Sequence, residues 1–532
     1  MNFDKPDLQQ LTSEYLDKLS KERVIELFQL LRKDLETAQE RLNQNPTNSS
    51  RPSSTKNPWD RTLNPDDEKL ATGDEGSASD EKAESDDEPE NEEPEKDSSG
   101  NEDEAAQGSA EDPNKKRKGK PGKQKGAKGF GRVQKLVITH EVIHRPSCCK
   151  GCGCGLDADL PLTATGGHYT LDLELPEPGR IGITGTNTKH IFGSILCSCG
   201  FKTATSPKQI ASEQGWNVKM GEWRLIGPVL LAYIVFLKLR MHMTVNKTGE
   251  MLLIWFGISL SDGCINTALR EAGRAASYLE PEIIAAVKAS KLLNVDETTW
   301  KEHKITRWFW VAVGDNAIYY TVGQRTLEMA QKILEGFKGV LMTDGYNAYR
   351  WYENRIRCWA HLDRKAAALD ECWDKEAASF GAYALKTLES LRKSVGKMRK
   401  MTPEERTAEQ KLCETTRLAF IYECLLRNDA EHEKTRAFAV EILNDNQAIF
   451  RVLKEPHLPL TNNIAEQSLR GLVILRKMCH GSKTEEGSRT VTILASVVDT
   501  LRIRKHEIWQ FLANIISLRR SGQSPPPLPS SA

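Results

Sequence analysis

The sequence predicts a mixed α/β core with a helical insertion, preceded by smaller segments of different character. Three observations predict it. LLNVD at 292–296, RWFWVAVGD at 307–315 and AIYYTVGQ at 317–324 are rich in β-branched and aromatic residues and are separated by short turns. Such runs read as a three-stranded antiparallel meander. TLEMAQKILEGF at 326–337 then has helical spacing. KGVLMTDGYNAY at 338–349 is a further apolar run that, like the first, ends in a carboxylate, so Asp296 and Asp344 close two buried strands.

The segments before this core follow in chain order. In residues 1–46, Leu16, Leu19, Val24, Leu27, Leu31 and Leu35 recur at helical spacing, and the pattern stops at Pro46. With no apolar sequence nearby to dock on, this reads as a short zipper-like helix that self-associates. Residues 47–135 hold almost no large apolar residues and read as a disordered linker. The 532-residue chain has zero formal charge, but residues 66–112 carry 21 acids against 3 Lys, whereas 115–135 carry 10 Lys or Arg and no acid. The folded remainder is therefore mildly basic, which suits a polyanionic partner. The basic block, KKRKGKPGKQKGAKGFGR, is a candidate grip on phosphates for which the acidic block competes.

Six of the 12 cysteines fall between Cys148 and Cys199. CCKGCGCG at 148–155 and CSCG at 197–200 are two glycine-rich knuckles joined by strand-like sequence such as HYTLDLEL. Residues 136–206 thus resemble a zinc ribbon, in which four thiolates hold one Zn²⁺. Cys149 and Cys152 supply the usual C-x-x-C; Cys197 and Cys199 are one residue tighter, and Cys148 and Cys154 remain alternatives. Residues 207–290 read as helical. Within them, helix, a turn at Gly257-Ile258-Ser259 and a second helix capped by Ser259 or Ser261 have helix-turn-helix spacing. No apolar run reaches the roughly 18 residues of a membrane span, and VLLAYIVFLKL at 229–239 reads as a core helix. The N-terminus lacks a secretory pattern, so a cytoplasmic location is expected.

A third acid comes from NNIAEQSLR at 462–470. Asn462 is placed to cap a helix carrying Glu466 and Arg470 at i,i+4, with Ile464, Ala465 and Leu469 marking a buried face nearby. Three carboxylates from separate elements, Asp296, Asp344 and Glu466, suit two Mg²⁺ (or Mn²⁺) ions engaged in phosphodiester chemistry. Glu297 points to the opposite strand face. Three strands, a helix and a fourth strand is the opening order of the ribonuclease H fold, so residues 291–480 form the core, with helical scaffold over about 366–450. Residues 481–532 read as a helical segment and a disordered tail.

VDETTW, RWFWVAVGD, GFKGVLMTDGYNAY, CWAHLDRK, LTNNIAEQSLR and the run from HGSKTEEGSRT to SVVDTLR together resemble transposases of the IS66 insertion-sequence family, over nearly the whole chain. The resemblance implies that Asp296, Asp344 and Glu466 are the DDE catalytic triad, spaced by 48 and 122 residues. It implies cleavage at the ends of an insertion sequence and joining of the 3′ ends to target DNA. Terminal inverted repeats, target DNA, a homo-oligomer and small accessory proteins of the same element are the implied partners, in the bacterial cytoplasm at the nucleoid. Arg470 and Lys477 are candidate phosphate contacts. Cys358-Trp359-Ala360-His361 has the form of half a zinc site, with no second half nearby in sequence. The second zinc knuckle, the stretch LKLRMHMTVNKTGE and the long acidic linker depart from the family pattern. A metal-dependent nuclease without strand transfer, and an inactive or domesticated DNA-binding regulator, are the competing readings.

Overall fold

The computed structural model describes residues 134–174, 182–207, 209–210, 215–222 and 224–531, with scattered positions from 20 to 35. The linker expected at 47–135 lies outside the described residues except at its last two positions. Most of the 1–46 segment lies outside them too; its described positions between 21 and 35 are helical, with Ile25, Phe28 and Leu35 exposed.

The first sheet contains β1 (His140–His144), β2 (Thr163–Leu173), β3 (Gly185–Leu196) and β4 (Lys202–Ala204). β3 is central, with β1 parallel to it and β2 and β4 antiparallel. Leu171, Leu173, Phe192 and Ile195 are buried. A two-residue pair, β5 (Gln209–Ile210) and β6 (Met220–Gly221), leads into the helices.

Helix α1 (Pro228–Leu239) is the buried helix expected from its continuous apolar run. α2 (Val245–Phe256) is capped by the Thr244 hydroxyl and ends at Gly257, whose φ of 66° is the left-handed conformation that favours glycine. α3 (Asp262–Ala276) is capped by Ser261, which settles the choice between the two serines. A 3₁₀ turn joins it to α4 (Glu280–Lys288).

The main sheet has the order β11-β10-β7-β8-β9. β7 (Leu292–Glu302), β8 (Ile305–Val313) and β9 (Ile318–Gly323) form the antiparallel meander. Helix α5 (Leu327–Leu334) carries the chain across to β10 (Val340–Thr343), which runs parallel to β7; β11 (Arg355–Arg357) then runs parallel to β10. Alternation along β10 sends Leu341 into one hydrophobic cluster and Met342 into another. The second cluster belongs to the insertion: α6 (Trp359–Asp370), α7 (Lys375–Met398), α8 (Pro403–Leu425) and α9 (Glu433–Lys454). α10 (Asn463–Cys479), α11 (Glu485–Ile503) and α12 (Ile508–Arg520) return to the first.

Edge strand β9 is covered by α11. The Ile318 and Tyr320 amides donate to the Thr500 and Ser496 hydroxyls at 3.0 and 2.9 Å, so this edge is closed to pairing with another strand. Arg520 on α12 holds Glu271 of α3 at 2.9 and 3.0 Å, both residues being buried.

Two expectations are corrected. The segment after α12 is an ordered strap rather than a disordered tail. Leu528 is buried and its amide donates to Glu282, while the Pro526 and Pro529 carbonyls accept from Tyr278 and Arg504. Its prolines lower the entropy lost on ordering, and one apolar side chain anchors it. Asn462 stands at the start of α10 but makes no side-chain cap. Its amide donates instead to the Val295 carbonyl at 2.9 Å, tying α10 to β7.

Candidate active site

The parallel register pairs Val340 with Leu292 and Met342 with Asn294. Two residues further along each chain stand Asp344 and Asp296, level with one another, Asp344 lying just past the end of β10. The Asp296 carboxylate accepts from the Glu297 amide at 2.9 Å, and Asp344 accepts from the Tyr346 amide at 2.9 Å. Burial holds the Asp296 carboxyl well above the usual carboxylate range, and the charges of Asp344, Glu297 and Glu466 add to the effect. This is a desolvated acid among acids, short of positive charge.

Glu297 does lie on the opposite side of the pleat, but that side is not solvent. Its side chain is 1% exposed. One carboxylate oxygen accepts from Arg325 at 2.9 Å and the other from the Tyr349 hydroxyl at 2.8 Å. The Arg325 guanidinium lies 4.0 Å from the Tyr346 ring centre and 4.6 Å from that of Trp308, a cation–π clamp. Burial first, then Asp344, push the Glu297 carboxyl up to about 7, against the pull of Arg325 and Tyr349.

Glu466 occupies the first turn of α10. Ala465 and Leu469 are buried as expected, whereas Ile464 is exposed, because the turn's outer face looks away from the core. The Glu466 carboxylate meets Arg364 at 3.2 Å and stands 3.8 Å from His361 Nδ1, both on α6. Arg364 is the ion-pair partner on α6, while burial lowers the His361 pKa and favours the neutral imidazole. Arg470 faces a cavity of about 630 Å³ on another side of α10, lined also by Arg240, His242, Asp499 and Arg502; Lys477 is exposed. Cys358 and His361, which have the form of half a zinc site, do have an acid beside them in space: the donor atoms of Cys358, His361 and Glu466 all lie within 4.8 Å of one another. Glu466 stands about a hundred residues on and is brought in by α10. Arg325 and Arg364 went unnoticed in the sequence; CWAHLDRK marked the second, but only its spatial partner gives it meaning.

A second donor set lies in the first sheet. The thiols of Cys149, Cys152, Cys197 and Cys199 lie within 4.8 Å of one another. Cys149 and Cys199 approach to 3.6 Å, and Cys152 and Cys197 to 3.7 Å. The Gly151 amide donates to the Cys149 sulfur at 3.3 Å. A backbone amide, that of Cys199, leads the interactions that bring the Cys197 thiol down to about 6. Four converging thiols with amide support fit structural Zn²⁺. Cys154 is a fifth thiol, 3.3 Å from Cys197, whereas Cys148 turns to Ser147.

Residues 224–490, half of the chain, match the family described as "Transposase IS66 family". The chain belongs to the IS66 transposase family. It is 26% identical to the uncharacterized protein y4hP of Sinorhizobium fredii over 330 residues, 55% of this chain and 59% of that one. It is 24% identical to y4qI of the same organism over 316 residues, 54% and 58% of the two chains. With y4jD, also uncharacterized and from Sinorhizobium fredii, it shares 21% identity over 447 residues, 78% and 83%. The chain spans just under three fifths of the first two relatives.

Membership in the family implies a ribonuclease H-like core over the matched residues. The sheet order suits such a core, and a divalent cation at Asp296 would relieve the charge that burial makes costly. Among the described residues, no helix is long and apolar enough to cross a membrane.

Proposed function

We propose that this transposase cuts DNA at the ends of an insertion sequence and joins the freed 3′ ends to target DNA. Asp296, Asp344 and Glu466 are the residues that would hold two Mg²⁺ (or Mn²⁺) ions. The observation that carries the reading is the position of Asp296: a half-buried carboxylate, level with Asp344 across a parallel strand pair, whose pKa burial raises and the charges of Asp344, Glu297 and Glu466 raise further. Bound there, the ions supply an activated water or 3′-hydroxyl and stabilise the leaving oxygen in an in-line displacement.

The chain's own residues contribute position and charge. Asp296 is held by a central strand, and Asp344 by the amide of Tyr346. Glu466 enters from α10, which Asn462 anchors to β7. Arg364, already at the Glu466 carboxylate, is a guanidinium that would meet a scissile phosphate bound at the acids. Cys149, Cys152, Cys197 and Cys199 are assigned to structural Zn²⁺, and α2 and α3 with the cysteine-rich sheet to reading end DNA. The zipper-like pattern of residues 1–46 is assigned to homo-oligomer assembly, with accessory proteins of the element as further partners. The working place is the bacterial nucleoid.

Asp344→Asn tests this in cleavage of labelled end DNA with Mg²⁺, run beside a gel shift and with accessory proteins supplied. Cleavage is expected to fall about 100-fold or more, the scale of losing a preorganised electrostatic stabiliser, while binding survives. Near-wild-type cleavage overturns the mechanism, and loss of binding with cleavage makes the acid structural. Joining to a labelled target separates the transposase from a nuclease on the same core.

A further inference from the structure

We infer that Cys358, His361 and Glu466 form a Zn²⁺ site that overlaps the proposed Mg²⁺ site by sharing Glu466. Cys358 stands at the start of α6 and is fully buried. Its sulfur accepts from the Asn462 amide at 3.2 Å, which brings the starts of α6 and α10 together. His361, one turn along, presents an Nδ1 that is buried without a hydrogen-bond partner, 3.8 Å from Glu466. A buried imidazole nitrogen with no bond carries a desolvation cost that a ligand would remove.

The donor set decides the ion. One thiolate, one imidazole and one carboxylate suit Zn²⁺; Mg²⁺ demands six oxygens in near-octahedral array. Tetrahedral Zn²⁺ bonds of about 2.0–2.3 Å place ligand atoms about 3.3–3.5 Å apart. The three donor atoms, all within 4.8 Å of one another, need only a small closure. Three protein ligands leave the fourth position to water or a phosphate oxygen. As the S–Zn bond forms, the Cys358 thiol gives its proton to solvent; the thiolate and the carboxylate then neutralise the ion. That neutrality is what lets Zn²⁺ sit beside Arg364, which keeps its own bond to the Ala360 carbonyl at 3.2 Å.

The consequence for activity rests on the proposed function: an ion that takes Glu466 withdraws it from Asp296 and Asp344, so Zn²⁺ opposes Mg²⁺-dependent cleavage. Binding itself does not rest on that reading. The test uses the full chain with its four-cysteine site already loaded with zinc. Co²⁺ is then added and the thiolate-to-cobalt absorption band is recorded. The band is expected in wild type, lost in Cys358→Ser, weakened in His361→Ala and retained in Asp296→Asn. Thermal melts of each variant show whether it folds, and His361→Ala decides the matter if Cys358→Ser does not. No band in wild type, a band untouched by either ligand variant, or one abolished by Asp296→Asn overturns the site. In the cleavage assay at fixed Mg²⁺, added Zn²⁺ should inhibit wild type and spare Cys358→Ser, whose hydroxyl still accepts from Asn462. Equal inhibition of both overturns the competition. If wild type cleaves no DNA under any condition, the proposed function fails and the cobalt spectrum still decides the site.

Discussion

Glu297 follows Asp296 in the chain, yet the pleat separates their tasks. Asp296 joins Asp344, whereas Glu297 is the buried counter-ion of Arg325 and the acceptor of the Tyr349 hydroxyl. Glu297→Gln keeps one acceptor and removes the charge, leaving the guanidinium short of a partner. Arg325 is 36% exposed and water can take its freed donors, so we expect a loss of about 1 kcal/mol of stability or less, read as a lower urea midpoint. Cleavage should fall much less than in Asp296→Asn. Unchanged stability with cleavage as low as in Asp344→Asn would instead make Glu297 a metal ligand. Both aspartates stood out in the sequence, because an acid at the end of a buried apolar run is costly without a function, although β7 continues past Asp296 to Glu302. Arg325, His361 and Arg364 were not, because the charges they answer are remote in sequence.

At the scale of elements, the knuckles and the strands between them depend on one another. The four thiols come from two turns held apart by β2 and β3, so metal binding and the folding of this sheet are coupled. Removing zinc with a chelator, or replacing Cys149 and Cys152 by Ser, should abolish amide-exchange protection in β2 and β3. Protection in β7 and β8, which belong to the other sheet, should remain. Equal protection of β2 and β3 with and without metal would rule out a structural zinc site. The elements themselves were well marked. Thr244 and Ser261 cap helices, Gly257 ends one, and the meander shows in its β-branched runs. Asn462 misled because its residue type fits a cap, while the neighbouring Val295 carbonyl offered a better-buried partner.

At the scale of the molecule, the strap after α12 closes over α4 and the turn before it. Deleting residues 524–531 exposes the surface Leu528 covers and frees Glu282, Tyr278 and Arg504 from their backbone partners. Burying a Leu is worth about 1.5–3 kcal/mol, so the melting temperature should drop, with DNA cleavage retained at low temperature. An unchanged melting temperature would show that the strap contributes nothing. The sequence alone determined what is local in origin: strand and helix periodicity, the glycine turn, the pairing of thiols in knuckles, and two acids at the ends of apolar runs, although β7 continues past Asp296 to Glu302. It also carried the family's motifs in order. Tertiary structure decided which face of a strand meets which partner, where Glu466 turns, what completes the Cys358–His361 pair, and whether a proline-rich tail stays loose. Those outcomes depend on contacts between residues up to hundreds of positions apart, and their energies come from burial and charge that no local window of sequence contains.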